Sequence, residues 1–171
     1  MKKKFKILLF STKGAGNHYY GPGISAYRLY KNIDKSKVSI SLVHGYKSQE
    51  NMALFDNQYY LSDLTNGGLI SGVIYSIKVR KWIKENAHRY DVLHCLGGYH
   101  ASFMMAYLCE KEGLPAFIKI TESINTGFTK SSFISNLLRL RKFRIKHAND
   151  ISGYISISSE IKNKLLNVGI K

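Results

Sequence analysis

The sequence predicts an α/β fold built on a parallel sheet with helices on both faces, and three observations carry that expectation. Short apolar runs alternate with longer stretches of helical periodicity. Glycine and proline punctuate the joins between them. The 171 residues, 44% of them hydrophobic, suffice for one domain with a true core. No repeat, low-complexity tract or linker interrupts the chain, so residues 1–171 are read as one doubly wound, Rossmann-like, three-layer α/β/α domain.

Phe5-Lys6-Ile7-Leu8-Leu9-Phe10 is the first strand, ending in a glycine-rich loop from Lys13-Gly14-Ala15-Gly16 to Gly21-Pro22-Gly23. Pro22 is placed to open a helix on which Ile24, Tyr27 and Tyr30 recur. Val38 to Val43 alternates with serines as a second strand, and residues 45–68 read as loop with a short strand near Tyr59-Tyr60-Leu61. From Leu69 to Ala87, Ile70, Val73, Ile74, Ile77, Val79, Trp82 and Ile83 predict an amphipathic helix. Asp91 to Leu96 is a strand stopped by Gly97-Gly98, and Ala101 to Cys109 is apolar enough to be buried on more than one face. Gly113-Leu114-Pro115 turns into the strand Ala116–Ile120, and Ser131–His147 is a basic helix. Gly153–Ile157 is the last strand, after which Ser158 caps a helix ending at Gly169.

Charge narrows the partners. Lys and Arg number 26 against 11 Asp and Glu, a net charge of +15 that favours anions. The apolar content excludes a disordered basic tail. Cys95 and Cys109 do not make a disulfide scaffold and read as reduced thiols. The run after Met1-Lys2-Lys3-Lys4 is only strand-length, and nothing approaches the roughly eighteen apolar residues of a spanning helix. The expected location is cytoplasmic, with a peripheral place on the inner face of the plasma membrane.

In a parallel sheet the ligand crevice lies beyond the carboxyl ends of the strands. The segments 11–23, 44–50, 97–100, 121–128 and 158–159 are therefore the ones to read for chemistry. Gly14, Gly16, Gly21 and Gly23 let backbone N–H groups approach a phosphate, or merely solve turn geometry. The dinucleotide fingerprint fails because Tyr19 replaces its third glycine, and the Walker pattern fails because Pro22-Gly23 replaces its Lys-Ser/Thr. His18 and Tyr19 join the loop as candidate contacts. His94 reads as a core histidine; Gly98 borders the crevice, and His100 divides evenly between loop surface and ligand contact. No cofactor or metal set is legible. In Thr121-Glu122-Ser123-Ile124-Asn125, Glu122 is the candidate catalytic base or sugar-hydroxyl acceptor, with Thr121 and Asn125 beside it. Its plainer reading is a loop cap. On the basic helix Arg139, Lys142 and Lys146 share one face, while Arg141 and Arg144 fall in the apolar arc. That suits anionic headgroups, worth about 1 kcal/mol per residue, or simply a solvated basic face. Nucleic acid ranks second, since no RNP-like strands, GXXG clamp or zinc knuckle occur.

Taken in order, Lys6–Phe10 with its glycine loop, Tyr90-Asp91-Val92-Leu93-His94, Gly113-Leu114-Pro115-Ala116-Phe117 and Tyr154-Ile155-Ser156-Ile157-Ser158-Ser159-Glu160-Ile161 running on to Gly169-Ile170 form a recognisable series. It resembles the N-terminal half of GT-B glycosyltransferases of family 4, the glycosyl transferases group 1 type, over essentially the whole chain. The resemblance implies an acceptor-side domain whose loop Gly14–Gly23 lines an interdomain cleft. It implies a C-terminal partner domain, in cis or as a separate chain, that binds the nucleotide sugar. It also implies saccharide or lipid-linked acceptors in surface polysaccharide or glycolipid assembly, and metal-free retention of configuration. Thr121-Glu122 stands where the family often carries a cleft histidine, so no histidine role carries over. None of the glutamates at 50, 85, 110, 112, 122 and 160 forms the family's E-x7-E donor pair, and no D-x-D occurs. This chain alone is expected not to turn over a nucleotide sugar. The rival expectation is a free-standing nucleotide-, phosphate- or nucleic-acid-binding domain.

Overall fold

The computed structural model describes residues 3–16, 20–46, 52–61, 69–121 and 140–170. Six strands, β1 (Phe5–Ser11), β2 (Val38–His44), β3 (Asn57–Tyr60), β4 (Val92–Leu96), β5 (Ala116–Ile120) and β6 (Gly153–Ser156), form one sheet in the order β3-β2-β1-β4-β5-β6. Every neighbouring pair is parallel. The described helices are α1 (Gly21–Tyr30), α2 (Leu69–Asn86), α3 (His100–Lys111), α4 (Leu140–His147) and α5 (Ser159–Asn167). The fold is thus the expected doubly wound α/β sheet. Its strand order reverses between β1 and β4, the place in such sheets where ligand crevices form beyond the carboxyl ends.

Period-two alternation sends β1 side chains to two cores. Leu8 and Phe10 join Leu93, Cys95 and Ile118 beneath Tyr75, Val79 and Ile83 of α2 and Phe103 and Met105 of α3. Ile7 and Leu9 join Ile40 and Leu42 beneath Ala26 and Tyr30 of α1, with Leu54 and Phe55. Both cysteines are free and buried, and burial pushes both thiols up.

The periodicity expected of α2 is corrected in one respect. Tyr75, Val79 and Ile83, four apart, face inward, while Ile74 is 43% and Ile77 66% exposed. The ring of Tyr75 packs 6.1 Å from that of Phe10. Ile77 lies about 160° around the helix from Tyr75, so one sheet cannot bury both stripes.

At the opposite, amino edge, carboxylates close the strand ends. Asp91 Oδ2 accepts from Lys6 N–H at 2.7 Å. Asp56 Oδ2 accepts from Ile40 N–H at 3.0 Å and from the Ser39 hydroxyl at 2.6 Å. Glu110 Oε1, near the end of α3, accepts from Ala116 N–H at 2.8 Å and Ser152 N–H at 2.6 Å. These bonds leave chemistry to the carboxyl edge.

Candidate functional site

At the carboxyl end of β1 the chain turns at Gly14, whose φ of 81° suits only glycine without strain. The Ser11 hydroxyl donates to Gly14 O at 2.5 Å and meets the Tyr20 hydroxyl at 3.0 Å, so it ties the start of the loop to the start of α1. At the end of β4, Gly97 has φ 85°, and a Cβ there would meet the Tyr99 ring at 2.8 Å. That turn aims α3 so that His100 begins it.

Helices α1 and α3 both point their N-termini at this edge. Their N-cap residues, Tyr20 and Tyr99, make no side-chain cap bond, and neither first turn holds an acid. Helix α5, by contrast, is capped by Ser158 Oγ, which accepts from Ile161 N–H at 3.3 Å. The field at the starts of α1 and α3 favours an acceptor oxygen or an anion at this edge, although Pro22 in the first turn of α1 offers no N–H.

Buried polar atoms normally find partners, so exceptions are informative. Among the described residues, Thr12 Oγ1, His100 Nδ1 and Thr121 Oγ1 are buried without a hydrogen-bond partner. They follow β1, β4 and β5, three adjacent strands, and so border one edge. Burial, then the charge of Arg144, pushes the His100 imidazole down to about 4. It is therefore neutral near pH 7, a state that can donate to or accept from a hydroxyl. Deeper in the sheet, His94 Nδ1 lies 2.7 Å from the Tyr30 hydroxyl, and its Nε2 has no partner. Burial, then Lys119, pushes His94 down to about 4 as well. The Lys119 ammonium donates to Ser25 Oγ at 2.7 Å, which ties β5 to α1.

The expected site residues divide as follows. Gly14, Gly16, Gly98, His100 and Thr121 border the carboxyl edge. Gly21 opens α1 with nothing within 4 Å of a would-be Cβ, and Gly23 is buried in that helix. His18, Tyr19, Glu122, Asn125 and Arg139 lie outside the described residues, as does the side chain of Arg141. Lys142 and Lys146 are exposed on α4 as expected of a basic face. Arg144 keeps its expected place in the apolar arc, but its guanidinium does not reach water as expected of a membrane-facing residue, since the residue is only 5% exposed. Helix α4 lies against α3 there, with Phe143 packed edge-on against Phe103 at 6.1 Å and Tyr107 at 5.3 Å. Sequence reasoning missed Ser11, Thr12 and Tyr20. Their signal is a pair of hydroxyls ending an apolar strand just before a glycine-rich loop.

No protein-family model matches the sequence, and no curated protein matches it. Solved structures do match its fold. UDP-N-acetylglucosamine 2-epimerase from Rickettsia bellii superposes with a TM-score of 0.60 at 12% identity, over 99% of this chain and 43% of that one. The lipopolysaccharide outer core galactosyltransferase WaaB does so at 0.58 and 14%, over 98% and 43%. MurG of Acinetobacter baumannii does so at 0.54 and 14%, over 91% and 42%. What these structures share with this chain is its doubly wound α/β fold. The chain spans less than half the length of each.

Proposed function

We propose that this domain is the acceptor-binding half of a GT-B glycosyltransferase of the family 4 type. The complete enzyme would move a sugar from a nucleotide-sugar donor to a saccharide or lipid-linked acceptor in surface polysaccharide or glycolipid assembly. A second, nucleotide-sugar-binding domain closes over the carboxyl edge, and the enzyme works on the cytoplasmic side of the membrane. The observation that carries the reading is the row of unpartnered polar atoms on Thr12, His100 and Thr121, set beside the starts of α1 and α3. Two hydroxyls and a neutral imidazole match the hydroxyls of a sugar, and helix amides match a phosphate or a carboxylate. Glu122 is the proposed base of this edge, with His18, Tyr19 and Asn125 as further contacts. Epimerases share the fold, but they need no acceptor, so dependence of turnover on an added saccharide separates the two readings.

The test uses the hydroxyls. Thr12→Val and Thr121→Val remove groups that are unpaired in the free chain, so each should leave stability unchanged or raise it by up to about 1 kcal/mol. Each should also weaken saccharide binding, followed by NMR titration with oligosaccharide acceptors. Loss of stability with unchanged binding would assign these hydroxyls to the scaffold and remove the basis of the reading. Tight binding of a nucleotide by this chain alone would favour the free-standing nucleotide-binding domain instead.

A further inference from the structure

Tyr59 and Tyr60 end β3, and alternation along the strand sends their rings to opposite faces of the sheet. The Tyr59 ring packs 5.2 Å from that of Trp82 on α2 and joins the core on that side. Tyr60 turns to the other face, belongs to neither core and remains 46% exposed. A lone exposed tyrosine is ordinary on a protein surface, but the place and the support of this one are not. It stands at the carboxyl edge in register with His44 of β2, which is in turn in register with Ser11 of β1. Its ring leans on the His44 imidazole, with 5.8 Å between centroids and an inclination of 42°. His44 is itself buried, and its Nδ1 donates to Tyr46 O at 2.9 Å, which fixes the imidazole. The backbone is pinned as well, since Leu61 N–H donates to His44 O at 3.2 Å. Tyr60 is thus an aromatic surface set in position before a ligand arrives, so contact with it costs little ordering.

Neighbouring strands lie about 4.8 Å apart, which puts Tyr60 about 10 Å from the end of β1 and about 19 Å from the end of β5. One sugar ring cannot touch both Thr12 and Tyr60, whereas successive units of a saccharide chain can. We infer that Tyr60, braced by His44, is a stacking subsite for a non-reacting sugar of the acceptor, and that the acceptor is an oligosaccharide laid across the strand ends from β1 toward β3. A pyranose carries a face of C–H groups that packs on an aromatic ring and a rim of hydroxyls that seeks polar partners. The edge offers both in the matching order, hydroxyls at Ser11 and Thr12 and then a ring at Tyr60. An acceptor with a single sugar would leave that ring in water. This inference rests on the sugar-acceptor reading and adds to it the length of the acceptor.

The test is a glycan array of mono- to hexasaccharides probed with the full chain, followed by NMR titration of wild type and variants with the best-bound series. Wild-type affinity should rise about five- to tenfold once the saccharide is long enough to reach Tyr60 from Thr12. Tyr60→Ala should remove that gain and leave monosaccharide affinity unchanged. Tyr60→Phe should keep the gain, because the ring makes the contact. Thr12→Val should weaken short and long saccharides alike. Tyr60 lies on the surface, and an unchanged melting temperature would show that the variants fold. Equal affinity at every saccharide length, equal loss at every length from Tyr60→Ala, or an effect of Tyr60→Ala on free nucleosides and not on saccharides would overturn the subsite. A chain that binds saccharides without regard to length would lose this subsite and keep the proposed function. One that binds no saccharide of any length would lose both.

Discussion

Tyr30 and His94 come from elements 64 residues apart, yet their polar atoms meet at 2.7 Å inside the protein. Desolvation pushes the tyrosine up to about 12 and the histidine down to about 4. Both are therefore neutral across the physiological range, and the pair costs the core little charge burial. The consequence for stability has a definite sign. Below the ordinary histidine value of 6.5 the unfolded chain binds a proton that the folded chain refuses. His94 thus contributes fully above pH 6.5, and its contribution falls away as pH drops toward 4. Urea unfolding at about pH 7 and pH 4.5 should differ by about 2–3 kcal/mol less in His94→Gln than in the wild type. An unchanged difference would place the acid sensitivity elsewhere, with His100 the next group to examine since it is depressed in the same way. His94 was legible from sequence as a core histidine, because an apolar strand surrounds it. Its partner was not, because nothing local links β4 to α1.

At the scale of elements, α3 shows how a helix can serve two strands at once. Glu110 receives amide hydrogens from the first residue of β5 and from the residue before β6 through a single oxygen. Glu110→Ala leaves both amides without that acceptor and should cost about 1–3 kcal/mol, read from the shift in the urea midpoint. Glu110→Gln keeps an acceptor oxygen there and should recover much of the loss. Element boundaries were readable because local chemistry sets them. Pro22 lies in the first turn of α1, Ser158 caps α5, and positive-φ glycines at 113 and 169 end α3 and α5. The buried face of α2 was misread for a different reason. Two apolar stripes coexist on it, and the choice is made by packing between Tyr75 and Phe10, which are 65 positions apart in the chain. Local periodicity carries no record of that contact.

At the scale of the molecule, the uniform direction of the strands made the candidate edge foreseeable, because all six end on one side. Gly14, Gly98, His100 and Thr121 fell there on topology alone. Thr12 and Ser11 escaped notice since their significance lies in whether a hydroxyl finds a partner, which only folded geometry decides. The closure of the strand starts by Asp91, Asp56 and Glu110 bears on how this protein tolerates change. One rim is stitched shut and the other is left loose, so inherited variation should register differently at each. In a saturation library, replacements along the stitched rim should lower cellular abundance, while those at Thr12, His100 and Thr121 should spare abundance and impair only the selected trait. If abundance scores instead fell equally along both rims, this division of labour would not exist.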